Sequence, residues 1–140
     1  MNGATPLDAR PDAATLARIR DAWDTNFLVE ASAGSGKTTA LVGRIVYLIV
    51  GRGIPLSRIA ALTFTEKAAH ELRVRVRRLL EERAQSGGTG PSEENTRIDA
   101  ALRAFDAATI GTIHSYCQRA LREIAFDAGR PFALELTTTA

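Results

Sequence analysis

The stretch that decides the fold is residues 26–39, NFLVEASAGSGKTT, in which a short apolar run precedes a small-residue loop and Gly-Lys-Thr-Thr. Residues 27–29 are typical of a buried strand. Gly34 and Gly36 let the backbone turn tightly and approach an anion without a Cβ in the way. A helix that begins near Gly36 offers unpaired N–H groups and the positive end of its dipole to that anion. The stretch therefore predicts a phosphate-binding loop between a strand and a helix.

The chemistry of such a loop assigns roles to its last residues. Lys37 stands where a lysine reaches the outer phosphates, and Thr38 stands where a hydroxyl holds Mg²⁺. The strict pattern is G-x-x-x-x-G-K-[ST], and Ala31 replaces its first glycine. The alternative interpretation is a chance small-residue turn, which the joint occurrence of strand, loop, Gly-Lys-Thr and apolar helix disfavours. The predicted nucleotide-binding residues are Ala31, Ser32, Ala33, Gly34, Ser35, Gly36, Lys37, Thr38 and Thr39.

Length, charge and cysteine content narrow the class of protein. A chain of 140 residues suits one domain, and its formal charge of +2 permits a polyanionic partner without requiring one. The single cysteine, Cys117, excludes an internal disulfide and fits a reducing cytosol. The sequence starts without a signal-peptide-like apolar segment, and its longest apolar run, residues 45–50, is too short to span a bilayer. We therefore expect a cytoplasmic protein with no membrane partner.

Hydrophobic periodicity predicts an α/β fold with a parallel sheet and a right-handed crossover. We expect a flexible lead-in at residues 1–11 and one domain over residues 12–140 that contains a flexible polar loop at residues 84–96. The predicted strands are residues 27–29, 59–64, 107–112 and 132–136. The predicted helices are residues 12–23 (capped by Asp12), 37–50 (ended by Gly51, Gly53 and Pro55), 66–83, 97–105 and 114–126 (ended by Gly129 and Pro131).

Each long helix has an apolar stripe that we expect to face the core, although the first could also flank the base of a nucleotide. These stripes are Leu16, Ile19 and Trp23; Leu41, Ile45 and Leu48; Ala69, Leu72, Val76 and Leu79; and Cys117, Leu121 and Ile124. The third helix also carries four arginines on its other side. We interpret them as a solvated face with Glu/Arg pairs. They are Arg73, Arg75, Arg77 and Arg78.

Two further segments stand at the carboxyl ends of predicted strands, the edge at which open α/β sheets bind ligands. Their candidate residues are Thr63, Phe64, Thr65, Lys67, Thr112 and His114. An aromatic ring flanked by hydroxyls suits single-stranded nucleic acid, because the ring stacks on a base while hydroxyls and a lysine hold phosphates. The alternatives are a buried strand terminus for Phe64 and an ordinary helix-start histidine for His114.

A phosphate-loop ATPase also needs acids at the end of a second strand, which hold magnesium and orient the attacking water. The acids of this sequence do not fit that position: residues 81–82 and 93–94 stand in helix and loop contexts, Glu135 lies inside a strand, and Glu30 precedes the loop. We therefore expect the chain alone to hold half of an active site.

With these segments in view, the chain resembles the amino-terminal part of a superfamily 1 DNA helicase of the UvrD/Rep type. It is most similar to the RecB and AddA branch, the helicase subunits of recombination-repair helicase–nuclease complexes. The resemblance rests on VEASAGSGKTT at residues 29–39, LTFTEKAAHELRVRVR at 62–77, TIGTIHSYCQRALREIAFDAG at 109–129 and the closing PFALEL at 131–136. These stretches cover over half of the chain in the family's order and spacing.

The resemblance implies an incomplete P-loop NTPase (RecA-like) domain, with a parallel sheet and flanking helices, that couples ATP hydrolysis to movement along single-stranded DNA. It implies ATP and Mg²⁺ as cofactors, bound by the loop with Lys37 at the β/γ-phosphates and Thr38 at the metal. It also implies partner subunits of a helicase–nuclease complex. By the same resemblance, the residues in the DNA-contacting motifs are Thr63, Phe64, Thr65 and Lys67, and Thr112 and His114.

Some features of the family pattern are missing. Many relatives contact adenine through a glutamine upstream of the loop, whereas this chain has only Gln85 and Gln118. The family's acid pair, second RecA-like domain and transition-state arginines would all follow Ala140, so we expect a fragment or truncated product of a larger helicase that lacks turnover on its own. Two other functions stay open: a small-molecule kinase, since A-x-x-G-x-G-K-T loops occur there, and a non-catalytic module that binds nucleotide or DNA.

Overall fold

The computed structural model describes residues 13–30, 34, 36–86, 92–127 and 129. In that part of the chain it has five α-helices and a two-stranded sheet, as the α/β prediction requires. The helices are α1 (Ala13–Asp21), α2 (Lys37–Val50), α3 (Glu66–Ser86), α4 (Glu93–Arg103) and α5 (Ile113–Asp127). The strands are β1 (Ala60–Thr63) and β2 (Thr109–Thr112), and the 3-10 turns are Leu56–Arg58 and Phe105–Ala107.

The two strands pair in parallel, with Ala60 opposite Thr109 and Thr63 opposite Thr112. The helices α3 and α4 connect them along the chain and pack on each other. The parallel arrangement confirms the prediction made from the two apolar runs, with shorter strand bounds. Because the strands are parallel and in register, their carboxyl ends lie side by side at one edge of the sheet.

The predicted strand at residues 27–29 is wrong. The segment is irregular, and the side chains of Leu28 and Val29 are 86% and 38% exposed. A strand of a parallel sheet is covered on both faces and paired along its edges. Among the described residues no strand pairs with this segment, so Leu28 and Val29 face solvent, whereas Phe27 is half-buried.

The core forms where α2, α3 and α4 meet the sheet. The bounds of α2 agree with the prediction, and the helix ends as expected: the Gly51 N–H donates to the Tyr47 carbonyl at 2.8 Å, and Gly53 has a φ of +67°. The buried stripe of α2 differs from the predicted one, however, because α3 and α4 cover a different side of the helix. Leu41 is 42% exposed, and the buried residues are Val42, Ile45, Val46, Ile49 and Val50.

A similar shift occurs in α3, where Leu80 rather than the predicted Leu79 is fully buried. The predicted loop at residues 84–96 is also too long. Ser86 still belongs to α3, and α4 begins at Glu93, because the Ser92 hydroxyl caps it by accepting from the Asn95 N–H at 3.0 Å. Residues 87–91 lie outside the described part of the chain.

The first and last helices bury less than predicted. In α1 only Ile19 is buried, while Trp23 lies beyond the helix, 47% exposed, with the Arg52 guanidinium 4.6 Å from its ring centroid. The expected core positions of α5 are wrong: Cys117 is exposed, and Leu121 and Ile124 are 53% and 62% exposed. The stripe of α5 is apolar. Among the described elements α5 mainly contacts β1 and β2, and these two strands leave the stripe uncovered.

Several predicted features lie outside the described residues: the lead-in at residues 1–11, the cap Asp12, Pro131 and the strand at 132–136. Gly129 is described and has a φ of +63°, which suits a residue that follows a helix end. Among the described helices, none combines the length and apolar character needed to cross a membrane.

Candidate functional site

The start of α2 borders a cavity of about 370 Å³. Gly36 precedes the helix with a φ of 91°, and within the described residues no side chain caps this end and no acid occupies its first turn. The helix dipole therefore adds positive potential at this end, which favours an anion there. The lining residues are Gly34, Gly36, Lys37, Thr38, Thr39 and Arg75.

The described part of the loop fits a nucleoside triphosphate with its magnesium ion. Gly34 and Gly36 have φ values of 80° and 91°, which strain any residue with a Cβ, and a Cβ built at either would meet nothing within 4 Å. The backbone thus turns toward open space that a phosphate group can enter. Lys37 and Thr38 are exposed on the same cavity, and a threonine hydroxyl is an oxygen ligand of the kind Mg²⁺ takes. Residues 31–33 and Ser35 lie outside the described residues.

The second set of candidate residues lies at the carboxyl edge of the sheet. Thr63 and Thr112 are paired across the two strands, and the Thr63 hydroxyl donates to the Thr65 carbonyl at 3.0 Å and approaches the Gly111 carbonyl at 3.5 Å. The Thr65 hydroxyl accepts from the Ala68 N–H at 3.2 Å and so caps α3. The structure therefore brings the two predicted segments together at one edge.

A buried hydroxyl ties the two segments to each other. Thr112 is 3% exposed, and its hydroxyl donates to the Glu66 Oε1 at 3.0 Å and accepts from the Ser115 N–H at 3.2 Å. The Ser115 hydroxyl in turn donates to the Thr112 carbonyl at 2.9 Å. Glu66 and Ser115 were not among the predicted site residues. Their positions in the sequence could have indicated this contact, since each lies within three residues of a strand end and has a side chain that can form a hydrogen bond with a hydroxyl.

The remaining residues of this edge face solvent. Phe64 is 86% exposed, which excludes the alternative of a buried strand terminus. Thr65, Lys67 and His114 are exposed as well, whereas Thr63 is half-buried. The surface of the edge thus has one aromatic ring among hydroxyl, ammonium and imidazole groups. Thr112 is buried beneath this surface.

Comparison with known protein families tests the resemblance predicted from the sequence. A sequence profile described as the UvrD/REP helicase N-terminal domain matches residues 14–138. The chain belongs to this family. The resemblance to UvrD/Rep-type helicases, predicted from the motifs at residues 29–39, 62–77 and 109–129, is therefore confirmed.

Individual relatives of this UvrD/REP helicase domain include both helicase–nuclease subunits and a UvrD-type helicase. An ATP-dependent helicase/nuclease subunit of Syntrophomonas wolfei is 35% identical over 103 residues, which are 74% of this chain and 8% of the relative. The ATP-dependent DNA helicase UvrD1 of Mycobacterium leprae is 44% identical over 98 residues, 70% of this chain and 10% of the relative. The exonuclease/helicase subunit RexA of Lactococcus lactis is 45% identical over 94 residues, 67% of this chain and 8% of the relative. The chain thus spans about a tenth or less of the length of these relatives.

In this helicase domain one arginine fixes the segment that leads into the loop. Arg44 lies in the mainly apolar part of α2, residues 40–50, and its guanidinium is 5.2 Å from the centroid of the Phe27 ring. The same guanidinium donates to a cluster of main-chain oxygens, those of Ile19, Ala22, Trp23 and Thr25. Arg44 was not among the predicted site residues, although it is the one charge in an otherwise mainly apolar stretch, residues 40–50.

The four arginines of α3 do not behave alike. Arg77 pairs with Glu81 at 3.0 Å and Arg78 with Glu82 at 2.7 Å, as the predicted Glu/Arg face requires. That interpretation is wrong for Arg73, which is half-buried, lies 5.6 Å from the Phe105 ring centroid and binds carbonyl groups that precede and form β2. Its acceptors are the carbonyls of Phe105, Ala108 and Ile110.

Proposed function

We propose that the chain is the ATP-binding, DNA-facing part of an ATP-dependent DNA helicase with a P-loop (RecA-like) fold, acting on single-stranded DNA in recombination and repair. Membership of the UvrD/REP helicase family and the helicase names of the relatives support the class of enzyme. One observation supports single-stranded DNA as the substrate. At the sheet edge, Thr63 and Thr112 end two paired strands beside Phe64, whose side chain is 86% exposed.

The cavity at α2 would hold the nucleotide. The N–H groups of the first turn and the Lys37 ammonium would bind the β- and γ-phosphates, and the Thr38 hydroxyl would hold Mg²⁺. Bound Mg²⁺ neutralises phosphate charge during phosphoryl transfer. The positive φ of Gly34 and Gly36 supports this assignment, because it opens the backbone toward the cavity. Residues 31–33 and Ser35 complete the proposed loop.

The sheet edge would hold the DNA strand. The Phe64 ring would stack on a base, and base–aromatic stacking contributes about 1–3 kcal/mol per base. Lys67, Thr65 and His114 would contact the phosphates and sugars around that base. Thr63 and Thr112 would support this surface from within, since their hydroxyls bond to groups of the protein itself.

The activity of the whole protein is a wider proposal, because the chain spans so small a share of its relatives. Two of those relatives are named as subunits, so we propose that the intact protein works in the cytoplasm with partner subunits of a helicase–nuclease complex. We also propose that the 140 residues alone turn over ATP slowly, because no apolar strand in their sequence ends in an acid pair.

The test is the affinity of Phe64→Ala for a fluorescent oligothymidylate at fixed salt. We expect about tenfold weaker binding, from the lower half of the stacking range, and unchanged affinity for a fluorescent ATP analogue. The matched control is Ile124→Ala, which also removes an exposed apolar side chain but lies ten residues beyond His114, about 15 Å along α5. Equal oligonucleotide affinities for Phe64→Ala and the unaltered chain would refute the proposed DNA edge.

A further inference from the structure

One arginine of α3 differs from its neighbours in having no partner within the described residues. Arg73 binds carbonyls, Arg77 pairs with Glu81, and Arg78 pairs with Glu82. Arg75 is exposed, and in the part of the chain that the structure describes it forms no hydrogen bond, ion pair or ring contact. A guanidinium in this state keeps all five of its donors for an external group.

The position of Arg75 indicates which kind of external group it could bind. Arg75 lines the cavity at the start of α2, whose other lining residues all come from the loop and the first turn of that helix. Lys37 and Arg75 are the charged residues of this lining, and no acid is among the described residues there. Two cationic side chains and the positive end of the α2 dipole therefore border one cavity, which favours an anion.

The fold holds Arg75 firmly in this place. The next residue, Val76, is fully buried in the core cluster that also contains the fully buried Val46 of α2. Because α2 and α3 pack against each other through this cluster, the backbone at Arg75 is fixed relative to α2. A fixed backbone lowers the entropic cost of ordering the arginine side chain on a ligand.

We propose that Arg75 binds a phosphate oxygen of the nucleotide, so that Lys37 from α2 and Arg75 from α3 hold the phosphate chain from two different elements. The inference rests on the proposed nucleotide site and adds a residue from outside the loop to it. A guanidinium suits this role because its planar fork of N–H groups matches phosphate oxygens and its charge is permanent.

The test measures the affinity of Arg75→Ala for two competitors of a fluorescent ATP analogue in the presence of Mg²⁺: ATP and inorganic tripolyphosphate. We expect both affinities to fall about tenfold, as loss of one charge-assisted contact implies. Arg75→Lys should fall in between, because lysine keeps the charge and loses the fork. The matched control is Arg78→Ala, which removes an exposed arginine of the same helix outside the cavity lining and should bind both competitors unchanged.

Two results would overturn the inference. One is an unchanged affinity of Arg75→Ala for ATP. The other is a loss for ATP with no loss for tripolyphosphate, which would move the contact to the ribose or the base. Lys37→Ala, measured in parallel, separates this failure from that of the proposed function: if Lys37→Ala also binds ATP as the unaltered chain does, the nucleotide site itself is wrong.

Discussion

Replacing Glu66 with alanine tests whether the two segments of the proposed DNA-binding edge depend on each other. The Glu66 carboxylate accepts from the Thr112 hydroxyl at 3.0 Å, and Thr112 is 3% exposed, so the substitution removes the acceptor of a buried donor. An unpaired buried hydroxyl costs about 1–3 kcal/mol. The Ser115 hydroxyl lies 3.2 Å from Thr112 Oγ1 and offers a replacement acceptor. We therefore expect the free energy of unfolding to fall by about 1 kcal/mol.

For a domain of this size such a loss lowers the melting temperature by about 2–4 °C. Binding of single-stranded DNA should weaken as well, because the end of β2 loses its link to α3. Simple electrostatics predicts the opposite sign, since removal of a carboxylate from an edge that faces a polyanion should strengthen binding. The sign of the change therefore separates a positioning role for Glu66 from a purely electrostatic one.

The assay combines thermal unfolding with fluorescence anisotropy of a labelled oligothymidylate at constant salt. Glu66→Gln keeps an acceptor oxygen and removes the charge, so it should bind DNA at least as tightly as the unaltered chain. Glu71→Ala removes an exposed charge from the same helix and controls for net charge. Tighter DNA binding by Glu66→Ala, or an unchanged melting temperature, would refute the reasoning.

Two further predictions concern turnover and the core. The isolated chain should hydrolyse ATP at a rate close to the buffer background in a phosphate-release assay with or without oligonucleotide, because its sequence predicts no strand that ends in an acid pair to orient the attacking water. A robust rate that Lys37→Ala abolishes would contradict this. Leu80→Ala should destabilise the fold by about 2–5 kcal/mol, because the fully buried side chain leaves a cavity, whereas the half-buried Leu79→Ala should cost less. Denaturant unfolding of both variants checks this order, and a larger loss for Leu79→Ala would show that α3 is turned by one residue.

The helices were the most predictable part of the fold. The bounds of α2 follow from local signals, since Gly36 begins it, Gly51 and Gly53 end it, and the residues between are apolar. The side that each helix buries was less predictable. Leu41 and Leu79 have the same chemistry as the buried Leu72 and Leu80, and only the placement of neighbouring helices decides among them.

The wrong predictions of strands and buried residues share a physical cause. Local sequence does not show which distant segments pack against an element. Residues 27–29 have strand composition, but a strand forms only against a paired neighbour, and the described residues supply none. The apolar stripe of α5, with Leu121 and Ile124, is uncovered for the same reason. Composition states what a segment can bury, whereas topology decides whether anything covers it.

The candidate site divides in the same way. The positions of the loop and strand-end residues could be predicted, because each occupies a fixed place relative to the start of a helix or the end of a strand, whereas their functional roles stay predictions. The contacts of Glu66 and Arg44 and the placement of Arg75 could not be predicted, because they depend on groups distant in sequence: Thr112, the carbonyls of residues 19–25, and the cavity at α2. Interactions of this kind appear only once the elements have been packed together.

The central claim is that a nucleotide cradle and a DNA-facing sheet edge occupy separate places on one small scaffold. Backbone amide NMR spectra of the chain, titrated separately with ATP–Mg²⁺ and with a short oligothymidylate, test it most directly. The account predicts that ATP–Mg²⁺ shifts the signals of residues 34–39 and Arg75, and that the oligonucleotide shifts those of residues 63–67 and 112–115. Signals at both places that stay unchanged, or two ligands that shift one common set of residues elsewhere, would contradict it.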